Sequence, residues 1–191
     1  MMPKHKGKNL IIISGPSGSG KTTVANRVLS LNPSSARLIT TTTRQPREGE
    51  INGIDYWFLS REEFLSRIND DDFIEWVESY GNFYGTSYSR LLPLLEVKLV
   101  VLAIVDIRGA LSLKKTFPES SSIFIKPGSL GRLEETILDR SFSPEEAKER
   151  IKGISEKTEQ ADKFDYIITN NDGYLDKTVS DVEEIIRKNS L

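Results

Sequence analysis

The chain has no cysteine and a single histidine, His5, among its 191 residues. Without thiols there is neither a disulfide framework nor a zinc–thiolate site. The one imidazole lies in a basic leader, which excludes a histidine-based triad and a His-rich metal site. Long apolar runs are also lacking. The longest, Leu99 to Val105, is about one buried strand, far short of the ~18–20 apolar residues of a membrane helix. There is no excess of positive charge: 26 Lys and Arg stand against 28 Asp and Glu, a net charge of −2, whereas a general nucleic-acid binder usually shows a basic excess. The apolar segment after the basic stretch Met1 to Asn9 is only Leu10 to Ile13, too short for a signal peptide. A cytoplasmic protein, monomer or homodimer, with no membrane and no nucleic-acid partner is the simplest reading.

What is present is an ordinary globular composition. The hydrophobic share of 37% supports a core, and a chain of this length reads as one domain. Asn9 to Ser14, with three consecutive isoleucines, suits a strand buried on both faces. A Gly-rich loop and a helix from Lys21 to Leu31 follow. Arg37 to Thr43 is rich in β-branched residues and reads as one strand, and Ile54 to Leu59 as another extended piece. Ser60 and Glu63 have the spacing of a capping box. Phe73 to Tyr80 reads as a strand and Gly81 to Gly85 as a turn. A helix near Tyr88 to Leu95 is interrupted by Pro93. Lys98 to Val105 is the clearest buried strand, with further strands at Ser122 to Lys126 and Phe164 to Thr169. Helices are expected at Leu130 to Asp139, after the cap Ser143-Pro144, and at Tyr174 to Lys188. Strand–helix alternation at both ends implies an α/β fold with a parallel, helix-covered sheet. The stretch from Leu38 to Leu95 breaks that alternation and looks like an inserted substrate-binding lobe.

Gly15, Pro16, Ser17, Gly18, Ser19, Gly20, Lys21 and Thr22 match G-x-x-x-x-G-K-[ST] in full, between a buried strand and a helix. Glycines there let backbone N–H groups converge on phosphate oxygens, and the helix N-terminus adds a favourable dipole. Lys21 would reach the outer phosphates and the Thr22 hydroxyl would ligate Mg²⁺. This makes a phosphate site without specifying the reaction.

A second set of polar and aromatic residues lies between Thr40 and Tyr88. Arg44 and Arg47 flank Pro46, and two guanidinium forks on one short loop suit a dianionic phosphate. Tyr56 and Tyr84 could add hydroxyl donors. Glu75 stands between Ile74 and Trp76, so on a strand it faces away from its apolar neighbours. Singly, each has a plainer reading: solvated loop arginines, an outward strand carboxylate, a packing tyrosine.

Together these stretches resemble the guanylate kinase family. The matching pieces are Gly15 to Thr22, Thr42 to Arg47, Gly49 to Gly53 with Asp55 and Tyr56, Phe73 to Trp76, and Gly81 to Gly85, with weaker matches at Asp106, Gly109 and Ile168 to Asn170. The resemblance implies a three-layer P-loop NTPase fold with a parallel core (8–37, 96–127, 151–191), a nucleotide-acceptor lobe (38–95) and a lid (128–150). It implies ATP-dependent phosphorylation of GMP, and of dGMP, to the diphosphate, with Mg²⁺. The ATP phosphates would sit against residues Gly15 to Thr22 and Thr23, with Asn170 near the adenine. Arg44, Arg47, Tyr56 and Tyr84 would hold the GMP phosphate. Thr40, Glu75, Thr86 and Asp106 would surround the guanine. Lys21, Arg140 and Arg150 would neutralise charge on the transferring group. Guanine offers an N1–H and an N2 amino group side by side, and one carboxylate can accept from both. Adenine lacks that pair, and sites of this kind discriminate by ~10⁴ or more.

The chain departs from the family at three places. The Asp-x-Asp-x-Gln-Gly pattern reads Ile104-Val105-Asp106-Ile107-Arg108-Gly109. Thr136 stands where the first lid arginine is usual, with Arg132 and Lys126 as the nearest replacement cations. The Arg-Gly tip of the lid is Arg140-Ser141. Two rival readings are a non-catalytic guanylate-kinase-like domain that binds a phosphorylated peptide, and a kinase for another phosphorylated acceptor.

Overall fold

The computed structural model describes residues 7–79, 81–129, 131, 133–134, 137–138, 144–154 and 158–189. The expectations for Arg132, Thr136, Arg140, Ser141 and the cap Ser143, and for the side chain of Arg150, lie outside the described residues. The strands are β1 (Leu10–Ser14), β2 (Ser35–Leu38), β3 (Thr41–Thr42), β4 (Trp57–Phe58), β5 (Phe73–Ser79), β6 (Asn82–Ser87), β7 (Val100–Ile104), β8 (Ser121–Pro127) and β9 (Tyr166–Asn170). The helices used below are α1 (Lys21–Leu31), α2 (Arg61–Asn69), α3 (Tyr88–Val97), α4 (Ile107–Thr116), α5 (Pro144–Lys152) and α6 (Leu175–Asn189).

The core is a five-stranded sheet in the order β2-β7-β1-β8-β9, with every pairing parallel. The isoleucine run of β1 has a simple use. Side chains alternate across a strand, and here both faces are covered. Leu10 and Ile12 join Leu91 and Leu95 of α3 and Ala110 and Leu113 of α4 on one side. Ile11 and Ile13 join Val24 and Val28 of α1 and Val182 and Ile186 of α6 on the other. All four are fully buried. A strand with no solvent face cannot carry the polar half of an alternating pattern.

A second sheet, in the order β4-β3-β6-β5, mixes one parallel pairing with two antiparallel ones. Its core is aromatic. Phe64 of α2, fully buried, stacks on Phe73 at 4.3 Å and on Phe83 at 5.2 Å between ring centroids. The expected capping box opens α2: the Ser60 side chain accepts from the Glu63 N–H, and Glu63 reaches back to the Ser60 N–H.

Three local expectations are corrected. Arg37 to Thr43 is two strands in two sheets, because the chain leaves β7 after Leu38 and pairs with β6 from Thr41. β-branched composition favours extended backbone but does not choose its partner. Only Gly81 makes a turn, at φ 73°; Gly85 is extended within β6, where a Cβ would come within 2.8 Å of the Phe73 ring. Pro93 lies inside α3 without ending it. It removes one backbone hydrogen bond, while Leu91 and Leu95 on either side keep the helix on the core. No helix among the described residues is long and apolar enough to cross a membrane.

One polar knot ties the far edge of the core sheet. The Asp165 carboxylate accepts from Lys114 of α4 at 2.8 Å and from the Ser122 N–H and hydroxyl of β8, each at 2.8 Å. Burial works against its charge, but these donors hold the carboxyl below the usual range. Its stabilising contribution is therefore present above the ordinary carboxylate range and lost as pH falls through the native value. Asp165→Ala should lower stability in urea titrations by about 1–2 kcal/mol at pH 7, allowing for partial exposure. The gap to the parent should narrow as the pH is taken down towards 3. A constant gap would show that packing, not charge, is what the substitution removes.

Candidate active site

The site lies along the carboxyl ends of the core strands, where open parallel sheets gather their ligands. The order is set by the sheet. Thr40 follows β2, Asp106 follows β7, the glycine-rich loop follows β1, Lys126 and Pro127 end β8, and Asn170 ends β9. Neighbouring strands are about 4.8 Å apart, so residues distant in sequence become adjacent.

The loop after β1 depends on two glycines. Gly15 has φ 142°, and a Cβ there would strike the Ile125 carbonyl of β8. Gly20 has φ 87° at the N-cap of α1, and a Cβ there would strike the Asn170 amide nitrogen. The α1 cap makes no side-chain hydrogen bond, so its first N–H groups are directed to whatever the loop holds. Lys21 Nζ donates to the carbonyls of Gly15 at 2.9 Å and Pro16 at 2.7 Å, which folds the ammonium over the loop. Thr22 and Thr23 are exposed in the first turn of α1, and Ser19 is buried with its hydroxyl unpartnered. Asn170 holds the loop from behind. Its Nδ2 donates to the Ser19 carbonyl at 3.1 Å, and its Oδ1 accepts from the buried Thr178 hydroxyl at 3.1 Å. Thr178 has no motif of its own. Its only sequence signal is a hydroxyl at a core position of α6.

The acceptor side is built on the second sheet. Arg44 is buried and lies 5.5 Å from the Tyr56 ring centroid and 5.7 Å from that of Phe58. Its guanidinium donates to both Glu50 oxygens at 2.9 Å and to the Gln45 carbonyl at 2.6 Å. Glu50 also accepts from the Arg47 N–H at 2.7 Å, so one carboxylate organises the loop that carries both arginines. Glu50 is a site residue the motif reading passed over, though it sits three positions after Arg47. Tyr56 and Tyr84 meet edge to face at 6.4 Å. Burial, then the neighbouring Tyr84, push the Tyr56 phenol above its usual range, against the pull of Arg44 and Arg37. The hydroxyl stays neutral and able to donate.

On β5 Glu75 faces away from Trp76, as alternation predicts, but of the two it is the inward residue. Trp76 is the exposed one, at 46%. A bulge between Phe73 and Glu75 shifts the register by one residue and sets Glu75 opposite Thr86. Such bulges re-aim side chains. The fully buried Thr86 hydroxyl donates to Glu75 Oε1 at 2.7 Å. A Cβ on Gly109, in the first turn of α4, would lie 3.2 Å from Glu75 Oε1 and from Asp106 Oδ1. Asp106 is the N-cap of α4 and accepts from the Gly109 N–H at 2.7 Å. The two carboxylates are thus brought together by the packing of α4 on β5. Arg108 is exposed on α4, and Ile104 packs into the apolar cluster beneath α1 and α6.

Burial raises the Glu75 carboxyl to about 7, with the Asp106 charge adding to the rise and the Thr86 hydrogen bond opposing it. A carboxyl that titrates higher in the native state costs stability once it ionises. The cost is absent below the unfolded value near 4.5 and complete above about 7. Glu75→Gln keeps the Thr86 hydrogen bond and cannot ionise. Relative to the parent it should gain roughly 1–3 kcal/mol between pH 5 and pH 8, read from denaturation midpoints. A pH-independent difference would mean that Glu75 is not held in a desolvated position.

Comparison with known proteins identifies the family. The guanylate kinase family model matches residues 7–189. A guanylate kinase of Carboxydothermus hydrogenoformans is 38% identical, over 98% of this chain and 91% of its own length. One from Prochlorococcus marinus is 40% identical, over 93% and 96%. The crystal structure of guanylate kinase from Anaplasma phagocytophilum superposes with a TM-score of 0.77 at 30% identity, covering 95% of this chain and 86% of that one. With a P-loop NTPase core, a loop for phosphate and a second sheet carrying paired arginines and a buried carboxylate, the chain belongs to the guanylate kinase family of nucleoside monophosphate kinases.

Proposed function

We propose that the protein transfers the γ-phosphoryl group of ATP to GMP, and to dGMP, giving the diphosphate. The observation that carries this reading is Glu75, desolvated beside Asp106 and fixed by Thr86 at the carboxyl edge of the core sheet. An ionised carboxylate there can accept from guanine N1–H and N2–H together. Asp106 borders the same place, and Thr40 is assigned to it by resemblance. The acceptor phosphate is held by Arg44 and Arg47, with the neutral hydroxyls of Tyr56 and Tyr84 as further donors. Glu50 already orients the Arg44 fork, so little is lost in positioning it.

Phosphoryl transfer asks little covalent chemistry of the protein. Alignment and neutralisation of charge supply most of the acceleration. Residues Gly15 to Thr23 cradle the donor phosphates, and Lys21 leaves its loop carbonyls for them. Asn170 supports the loop through the Ser19 carbonyl, which favours a positioning role beside the adenine contact implied by resemblance. The Thr22 hydroxyl is an exposed hard oxygen donor at the start of α1, suited to Mg²⁺, whose other ligands would be phosphate oxygens and water. When bound, the ion neutralises charge on the β- and γ-oxygens. Arg140 and Arg150, by resemblance, bring further positive charge from the lid.

Three measurements test this. ADP release should be fast with GMP, measurable with dGMP, and slow with AMP, UMP and CMP. Glu75→Gln should weaken GMP use by ~1.5–3 kcal/mol and flatten the rise in GMP affinity as pH increases through 7. An unchanged GMP-over-AMP preference in that variant would remove Glu75 as the base reader. Lys21→Ala should fold normally and lose turnover by orders of magnitude, about 10²-fold or more. Near-parental turnover would sink the phosphoryl-transfer assignment.

A further inference from the structure

A cavity of about 340 Å³ lies at the joint between the two sheets, lined by Arg37 and Leu38 of β2, Trp57 of β4, and Arg90, Pro93 and Leu94 of α3. It adjoins the acceptor site, since the Arg37 charge is felt at the Tyr56 phenol, but its lining is a different set of residues. The Tyr56 and Phe58 rings lie 5.8 Å apart on one side of the chain, so Trp57 between them projects to the other. Among the described residues, the lining includes neither Tyr56 nor Arg44.

The two guanidinium groups in this cavity lack counter-ions. No carboxylate pairs with Arg37 or Arg90 among the described residues. Arg37 makes one long hydrogen bond, from Nη2 to the Asp55 carbonyl at 3.4 Å, and its Nε–H is buried without an acceptor. Arg90 lies over the Trp57 ring, 3.9 Å from its centroid. That contact holds the half-buried cation in place, and among the described residues its N–H groups keep no carboxylate partner. The buried Arg37 Nε–H is costly unless an acceptor completes it. Two forks on one cavity suit a dianion better than a monoanion. Apart from Ser89, the remaining walls, Leu38, Ile39, Pro93 and Leu94, are apolar and accept a hydrocarbon or aromatic body.

We propose that this cavity is a second anion site, taking a small organic phosphate monoester whose charged group sits between Arg37 and Arg90 and whose body lies against Leu38, Pro93 and Leu94. The site is independent of the identity of the acceptor nucleotide. Its place at the exit of β2, where the Trp57 N–H donates to the Thr40 carbonyl at 2.8 Å, puts it directly behind the acceptor site.

Trp57 reports on occupancy. Trp76→Phe leaves it the single indole of the chain. In that background, phenyl phosphate should produce a saturable change in Trp57 fluorescence and in its indole N–H resonance. Benzoate should bind about tenfold more weakly, and phenol should give no response. Arg37→Met and Arg90→Met should each weaken phenyl phosphate by about tenfold or more, and Arg44→Met should leave it unchanged. If the methionine variants fail to fold, Arg37→Lys and Arg90→Lys, which keep the charge but lose the fork, should still weaken binding severalfold. A response lost with Arg44→Met and retained in the other two would place the anion in the acceptor site and overturn the proposal. So would equal responses to phenol and phenyl phosphate, or no response at all.

Discussion

Everything in this molecule hangs on a strand that has no solvent face. β1 is enclosed laterally by β7 and β8 and covered above and below by helices. Its last residue leads straight into the glycine-rich loop, so that loop is anchored to a fully buried strand. Interiors are close-packed, and displacement of the loop would disturb both apolar layers. Gly15 shows how tight the fit is, since even a methyl group would meet the β8 backbone. Asn170 and Thr178 add a hydrogen-bonded support from the edge strand β9 and from α6.

The acceptor side is organised differently, by polar contacts rather than by burial of apolar surface. Glu50 holds the Arg44 fork and the Arg47 backbone together. A guanidinium held this way is pre-oriented, and the rotamer entropy of a long side chain is spent during folding instead of on binding. The aromatic cluster around Phe64 supplies the stiffness that lets a four-stranded, partly two-residue sheet hold this loop.

Glu75 joins the two halves. Its carboxylate belongs to the second sheet, yet it packs against Gly109 and Asp106 of the core. Burial, and then the Asp106 charge, raise the titration of Glu75, and the Thr86 hydrogen bond opposes them. A carboxyl held in that state is uncomfortable in isolation and is relieved by a ligand with two adjacent N–H donors.

Much was legible in the residues alone, for local reasons. A run of isoleucines can only be buried on both faces, a capping box is a contact within four residues, and the phosphate-loop glycines act through their own backbone. The arginines around Pro46 and the carboxylate in β5 were legible as chemistry, through their resemblance to a known pattern. What tertiary structure alone decided were the matters of partner and direction. Composition could not tell that the extended stretch after Arg37 changes sheets at Thr40, because β-branched residues suit either pairing. Nor could alternation show that Glu75, not Trp76, turns inward, because a single bulge reverses every side chain beyond it. The support of Ser19 by Asn170 and the gathering of Arg37 and Arg90 around Trp57 join residues on different elements or loops. Such contacts are set by how packed layers meet in space, a relation no local pattern encodes.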